Sequence, residues 1–283
     1  MAGMPAIQKE MERLKSMIVV KIGGAQGVAL DHVCSDIADL VKQGQAVIVV
    51  HGGSAETNII SEQLGHPPRF VTNVQGFTSR YTDRQTLEIF AMVTNGKINT
   101  LLVETLQKAG VNAFGISGLD GRLMVAKRKD AIRIVENGRQ RILRDDFTGK
   151  IETVNGGLLK SLVGMGFTPV VSPLAISPEG EGLNVDADRA AAYVAGAVGA
   201  EQLVILTNVP GLLRHFPDES SLITTLPKAG LEQALSFAEG RMKKKVLGAS
   251  EALDLGVAKV VFADGRIEHP LTGALAGIGT VIS

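Results

Sequence analysis

Met17-Ile18-Val19-Val20-Lys21-Ile22-Gly23-Gly24 is the stretch on which the fold turns. Ile18 to Ile22 is a short apolar run that ends in two glycines, the pattern of a buried strand in a parallel sheet. Lys21 is out of place in it. A charged side chain near the end of a buried strand costs free energy unless something needs the charge. Gly23 and Gly24 offer backbone N–H groups with no side chain in the way. Lysine and bare amides at the C-terminal end of a strand make a seat for phosphate. An ordinary strand–turn with Lys21 reaching solvent is the other reading, and this stretch alone does not separate the two.

The same arrangement recurs. After a helix over Leu30 to Gln43, the strand Ala46 to Val50 runs into His51-Gly52-Gly53-Ser54 and a helix from Ala55 to Leu64. Two glycine turns at one end of a sheet could hold two halves of an anionic assembly. His51 reads as an acid–base group or as a turn-stabilising residue. His66 to Asp83 is polar and irregular and reads as a long loop, often a sign of function in a compact fold. Arg80 within it is either a bidentate carboxylate clamp or a surface arginine. Thr82-Asp83 predicts an N-cap for a helix to about Val93 or Asn95. A second helix, Asn99 to Lys108, leads to the strand Val111 to Ile116. Leu123 to Val125, Ile132 to Val135 and Ile142-Leu143 read as strands, with Asn137-Gly138 as a hairpin turn.

In the second half, a helix over Asn155 to Met165 precedes the strand Thr168 to Ser172. Asn184, Asp186 and Asp188 alternate just before the Ala-rich helix Arg189 to Val198, where Asp188 is either a cap or the organiser of a site. The strand Gln202 to Leu206 ends in Thr207-Asn208-Val209-Pro210-Gly211. Leu222 to Leu226 and a helix from Leu231 follow. The next helix opens with Gly240-Arg241-Met242-Lys243-Lys244-Lys245 and runs to Leu255. Basic residues at a helix start oppose its macrodipole, a cost that an anionic ligand would offset. Lys259 to Ala263 and Gly279 to Ile282 are closing strands. Strand and helix alternate throughout. The expected fold is α/β, a three-layer αβα sandwich with an open, mainly parallel sheet.

The 283 residues suit one large α/β domain or two intimate lobes. Lys plus Arg and Asp plus Glu are both 29, so no global basic field points to nucleic acid. Cys34 is the single cysteine, which excludes an intrachain disulfide and a cysteine metal cage. No apolar run reaches membrane-spanning length. Residues 1–16 have mixed charge, with Ile7, Met11 and Leu14 at helical spacing; they read as a frayed extension, and a cytoplasmic protein is expected. No Walker P-loop, Gly-x-Gly-x-x-Gly fingerprint, His-x-x-x-His pair or Gly-x-Ser-x-Gly elbow is present. What remains is a set of anion-seating turns with lysines near both ends of the chain. Phosphoryl transfer asks little more of a protein than positioning and positive charge. Charge is uneven in one place: from Arg122 to Arg144 eight residues are basic (Arg122, Lys127, Arg128, Lys129, Arg133, Arg139, Arg141, Arg144), opposed by Asp130 and Glu136. This reads as a solvated hairpin or as a docking face for an acidic partner.

Lys21-Ile-Gly-Gly, His51-Gly-Gly, Arg80-Tyr-Thr-Asp, Asn184-Val-Asp-Ala-Asp188, Leu206-Thr-Asn-Val-Pro-Gly and Arg241-Met-Lys-Lys-Lys245, in that order, resemble the amino acid kinase family from Met17 to Ser283. The resemblance implies a kinase domain over 17–283, with substrate and carrier on the side of about 17–178 and nucleotide on the side of about 179–283. It also implies an acyl phosphate made from ATP and a carboxylate. Within the family the chain is similar to acetylglutamate kinases but departs at Ser54, at the longer Gly76 to Asp83 stretch and at Asp186. Those departures resemble kinases of 2-aminoadipate or glutamate carried on LysW, a small acidic amino-group carrier protein. The resemblance then implies roles by residue. Lys21 and Lys245 stabilise the transferred phosphoryl group and Asp188 orients them. Gly52, Gly53, Arg80 and Asn184 hold the substrate. Gly23, Gly24, Thr207, Asn208, Gly211, Arg241 and Lys243 lie by the nucleotide. Arg128, Arg139 and Arg141 dock the carrier. Mg²⁺ is expected to bind through ATP, with no metal cage in the protein, and the chain to form a homodimer. N-acetylglutamate 5-kinase and a non-catalytic nucleotide-binding sensor remain as alternative readings.

Overall fold

The computed structural model describes residues 16–24, 27–74, 76, 78–129, 131–136 and 139–283. Its centre is β1 (Ile18–Ile22), buried at every position. The remaining strands follow in chain order: β2 (Val47–His51), β3 (Phe70–Asn73), β4 (Thr78–Arg80), β5 (Ala113–Ser117), β6 (Met124–Arg128), β7 (Ile132–Glu136), β8 (Arg139–Leu143), β9 (Gly149–Val154), β10 (Thr168–Ser172), β11 (Leu174–Ile176), β12 (Gly182–Asn184), β13 (Gln202–Thr207), β14 (Thr225–Leu226), β15 (Lys259–Asp264) and β16 (Thr280–Ile282). The main sheet has the order β14-β16-β15-β13-β1-β2-β10-β5. Its pairs are parallel except β15 with β16, which are antiparallel. The central strands are apolar runs because both faces of the sheet are covered.

Residues alternate between the two faces. Ile18, Val20 and Ile22 pack with Val33 and Ile37 of the helix Leu30–Lys42, Leu106 of the helix Thr100–Lys108 and Leu271 of the helix Pro270–Leu275. Met17 and Val19 pack on the other face with the helices Gly156–Gly164, Ala187–Val198, Leu231–Phe237 and Arg241–Asp254. Two four-stranded sheets flank this core, β12-β11-β6-β9 and β4-β3-β7-β8. The layered, mainly parallel fold is therefore as expected, and among the described residues no helix is long and apolar enough to cross a membrane.

Several local expectations change. The stretch 66–83 holds a short hairpin, β3 with β4, because its alternation is too brief to stand out beside its prolines. Arg84 to Lys108 is one unbroken helical run that passes through wide π-type turns at Met92–Asn99, where two separate helices were expected, one to about Val93 or Asn95 and one from Asn99. β9, β11 and β12 were not expected; each is short and two begin at or beside a loop glycine. Only Thr225–Leu226 of the Leu222 to Leu226 stretch forms a strand, while Leu222 makes a single bridge to Leu213. The Asn137-Gly138 turn and the extension up to residue 15 lie outside the described residues.

One buried carboxylate ties the ends of the chain together. Asp36 accepts hydrogen bonds from the Leu271 and Thr272 amides (2.6 and 2.8 Å) and from Thr272 Oγ1 (2.7 Å). It caps from a distance the helix Pro270–Leu275, whose own N-cap makes no side-chain bond. Asp36→Ala strands two amides of that helix and is expected to cost ~2–4 kcal/mol. Thermal unfolding should show a midpoint lower by several degrees, with residues 270–283 the first to lose amide protection in hydrogen exchange.

Candidate active site

Lys21 shares the face of β1 that carries Met17 and Val19, and that parity decides its partners. On this face lie the starts of the helices Ala187–Val198 and Arg241–Asp254. Lys21 Nζ stands 2.7 Å from Asp188 Oδ1, and Lys245 Nζ donates to both oxygens of Asp188 at 3.1 Å. Lys21, Lys245 and Asp188 thus form one triad, Lys21 and Asp188 buried and Lys245 with 13% of its side chain exposed. Asp188 does not cap its helix. Asp186 does, accepting from the Asp188 and Arg189 amides, and so leaves the Asp188 carboxylate for the lysines. Gly248 brings the second helix in: a Cβ there would stand 3.2 Å from the Asp188 carbonyl oxygen. Lys245 precedes Gly248 by one turn, so this close approach sets its reach. Arg189 and Glu251 lock the same two helices together. Gly248 was not read from the sequence, although its place three residues after Lys245 is a usable signal.

Burial alone would raise the Asp188 pKa, but the charges of Lys21 and Lys245 outweigh it and hold the carboxyl well below the usual range. Burial brings Lys245 down to about 8; Asp188 opposes this and the Lys21 charge adds to it.

The two glycine turns interlock. A Cβ on Gly24 would overlap the Gly53 amide nitrogen, and one on Gly52 would stand 2.8 Å from the Gly24 nitrogen. Gly52 N–H donates to Ile22 O and Ala55 N–H to Gly24 O, both at 3.0 Å. Gly23 sits against the end of β13, 3.3 Å from Leu206 O by the same measure. Thr207 there is held by Val209: its Oγ1 donates to Val209 O (2.6 Å) and accepts from the Val209 amide (3.1 Å). Asn208 lies beside Gly27, and Gly211 packs against Thr280. Gly23, Gly24, Thr207, Asn208 and Gly211 are thus gathered at the C-terminal ends of β1 and β13, where open α/β sheets bind ligands. The helix Arg241–Asp254 begins with no side-chain cap, behind a Gly240 of φ 51°. Lys243 is exposed in its first turn.

Arg80 ends β4 and is buried. Its Nη2 donates to Ser54 O (3.1 Å) and Asn58 Oδ1 (2.5 Å), and Nη1 is buried with no partner. Burial, with the nearby Arg241 charge, lowers its pKa to about 10. A buried cation with an unused donor calls for an anion. Asn184 ends β12, and its Nδ2 donates to Thr82 Oγ1 (3.1 Å). His51 is structural. Its Nδ1 lies 3.0 Å from Gly52 O and its Nε2 3.0 Å from Asn99 Nδ2, so the hydrogen bonds assign the proton to Nδ1. Burial first, then the Lys21 charge, lowers its pKa to about 4 despite the Gly52 bond. Asn99, unread in the sequence, holds this histidine and also donates to Val170 O (2.8 Å). Among the described residues no cluster of three His, Cys, Asp or Glu side chains gathers to hold a metal.

The sequence profile of the amino acid kinase family matches residues 16–264. The chain belongs to the amino acid kinase family. It is 57% identical over 271 residues to a protein of Deinococcus radiodurans named LysW-aminoadipate kinase, covering 96% of this kinase and 93% of the relative. A protein of the same name from Thermus thermophilus is 54% identical, covering 94% and 100%. A Nitrosopumilus maritimus relative, named a putative LysW-aminoadipate/LysW-glutamate kinase, is 46% identical over 92% of this chain and 96% of its own. Among solved structures, carbamate kinase of Giardia lamblia bound to AMP-PNP superposes with a TM-score of 0.65 at 16% identity, covering 95% and 99% of the two chains. N-acetylglutamate synthase of Neisseria gonorrhoeae gives 0.75 at 24%, covering 98% of this chain and 62% of that one. These two likenesses concern the fold.

The basic hairpin of the kinase differs from the expected single positive face. Arg128 is used internally: its Nε donates to Asp146 O (3.1 Å), its Nη1 pairs with Glu181 (3.0 Å), and its guanidinium lies 3.9 Å over the Phe147 ring. It is withdrawn from the docking set. In β7 and β8, Ile134 pairs with Arg141 and Arg133 with Ile142. Paired residues share a face. Arg139 and Arg141 therefore lie on the side of the buried Ile132 and Ile134, while Arg133 lies opposite with the exposed Val135 and Ile142. Register in β3 and β4 puts Phe70 and Arg80 on that opposite face too.

The Lys245 shift gives the kinase a pH signature. Below pH 8 the lysine is charged; above it the proton is lost. kcat/KM reports ionisations of the free enzyme. An alkaline limb near pH 8 is expected in kcat/KM for ATP, with activity present below and lost above. Lys245→Arg should move that limb out of the accessible range, at reduced kcat.

Proposed function

We propose that this kinase transfers the γ-phosphoryl group of ATP to the side-chain carboxylate of 2-aminoadipate joined through its amino group to a LysW-type carrier, forming an acyl phosphate in cytoplasmic lysine biosynthesis. The observation that carries the proposal is the pair of relatives at 57% and 54% identity, both named for this reaction and matched over nearly the whole chain. The geometry is consistent with it. A carboxylate oxygen attacks the γ-phosphorus, the bond to the β–γ bridging oxygen breaks, and ADP leaves. Nucleophile and leaving group are both anions, so the step needs no general base. A neutral His51 and an Asp188 engaged by two lysines fit that demand. Lys21 and Lys245 carry more positive charge than Asp188 cancels, and the transferred group supplies the balance. Gly23, Gly24, Thr207, Asn208, Gly211 and Lys243 serve the nucleotide from the side of about 179–283 and the β1 turn. Gly52, Gly53, Arg80 and Asn184 hold the acceptor, with the buried Nη1 of Arg80 on its α-carboxylate. Mg²⁺ would reach the site on the ATP phosphates, to neutralise and orient them, since it keeps water and phosphate ligands readily. A homodimer belongs to this proposal; β5, at the end of the main sheet, exposes Phe114.

Acyl-phosphate trapping with three acceptors tests the function. Carrier-linked aminoadipate should turn over, and Lys21→Ala should lower kcat at least 100-fold. Turnover of N-acetylglutamate alone would refute the proposal, and ATP binding with no turnover would favour a sensor. Carrier-linked glutamate is a second acceptor to compare, prompted by the name of the 46% relative. One methylene is worth ~1–3 kcal/mol in a pocket, so a 10- to 200-fold preference for aminoadipate is the expected scale.

The carrier is proposed to dock on the β7–β8 hairpin. Arg139→Glu with Arg141→Glu should raise KM for the carrier-linked substrate several-fold, an effect that fades in high salt. Arg133→Glu probes the opposite face, and whichever variant raises KM identifies the docking side.

A further inference from the structure

The geometry points to Asp146 as the positioning residue of the carboxylate seat. This rests on the reading that Arg80 and Asn184 hold the acceptor. Asp146 is fully buried on the segment that leaves the hairpin toward β9. A buried carboxyl is costly to desolvate. Here each oxygen is taken by the backbone of a different residue: Oδ2 accepts from the Thr82 amide (3.1 Å) and Oδ1 from the Thr148 amide (2.8 Å).

The Thr82 bond matters most. Thr82 is gripped at both backbone ends, its amide by Asp146 and its carbonyl by the Phe147 amide (2.7 Å). It is buried, and it lies two residues after Arg80. Its Oγ1 donates to Arg80 O (3.3 Å) and accepts from Asn184 Nδ2 (3.1 Å). The Asn184 amide also donates to Phe147 O (2.9 Å), and Thr148 bridges to Asn184 in parallel register. Thr82 and Asn184 are 102 residues apart, yet both are held by the three residues from Asp146 to Thr148. Arg128 anchors that segment in turn, through Asp146 O, the Phe147 ring and Glu181. The seat is thus referenced to the root of the hairpin.

Asp146→Asn keeps the size but provides one carbonyl oxygen and turns an NH₂ group toward an N–H donor. In the full-length kinase it is expected to raise KM for carrier-linked aminoadipate about tenfold, with KM for ATP within twofold of the parent. In an Arg80→Lys background the same change should add less than threefold, because the arginine geometry it guards is already gone. Thr82→Val, which keeps the gripped amide but removes the hydroxyl link to Asn184, should also raise KM for the acceptor and not for ATP; this variant carries the test if Asp146→Asn does not fold. An unchanged acceptor KM in a folded Asp146→Asn or in Thr82→Val, while Arg80→Lys raises it, overturns the inference and leaves the seat standing. Equal loss toward acceptor and ATP overturns it as well, since that marks a general structural role. An acceptor KM untouched by Arg80→Lys overturns the seat itself.

Discussion

Two lysines on one buried carboxylate are the constraint on which the rest of this kinase depends. Asp188 stands 2.7 Å from the Lys21 ammonium and 3.1 Å from that of Lys245, with little of the three side chains left to water. One carboxylate cannot cancel two ammonium groups. Burial first, and the Lys21 charge after it, bring the Lys245 pKa down to about 8 against the opposing pull of Asp188. Removing one partner of a buried ion pair typically costs ~3–5 kcal/mol. The arrangement persists because the surrounding packing over-determines it: β1 is buried on both faces, Asp186 caps the helix so that Asp188 need not, and Gly248 lets the second helix come close. Such stored cost is usual where charge is preorganised for a reaction.

The same economy of backbone builds the rest of the site. Parallel pairing of β1 and β2 in register brings their two glycine turns into contact, so that each occupies the space a Cβ of the other would need. Gly23, Gly24, Gly52 and Gly53 thus meet where the two strands end. Arg80 joins this region through Ser54 O, one residue beyond the Gly52-Gly53 turn.

Much of this was legible in the sequence. An apolar run that ends in two glycines, repeated as Ala46 to Val50 before His51-Gly52-Gly53, identifies parallel strands that end in tight turns, and lysines at a helix start identify an electrostatic cost. The hairpin β3–β4 and the strands β9, β11 and β12 were not legible, because three- to six-residue strands carry too few alternations to rise above loop composition. In the sequence Asp188 reads as a possible cap of a helix from Arg189, whereas the helix starts two residues earlier and Asp186 caps it; helix ends carry that much play in a sequence pattern. The basic stretch misled in a specific way. A count of charges ignores the period of two, which splits Arg133 from Arg139 and Arg141, and it ignores Asp146, Phe147 and Glu181, which absorb Arg128.

The sequence by itself determined the layered α/β fold, the glycine turns and the presence of buried or misplaced charges, since these follow from local periodicity and from the cost of desolvation. Only the tertiary structure decided which charges meet. Lys21 joins Asp188 because strand parity turns it toward one helix layer, and Lys245 joins them because a helix packs at a glycine more than two hundred residues downstream. Asp146 reaches Thr82 across 64 residues of chain. Contacts of that separation leave no local signature: the residues at either end satisfy ordinary propensities, and what pairs them is the geometry of the sheets and loops between.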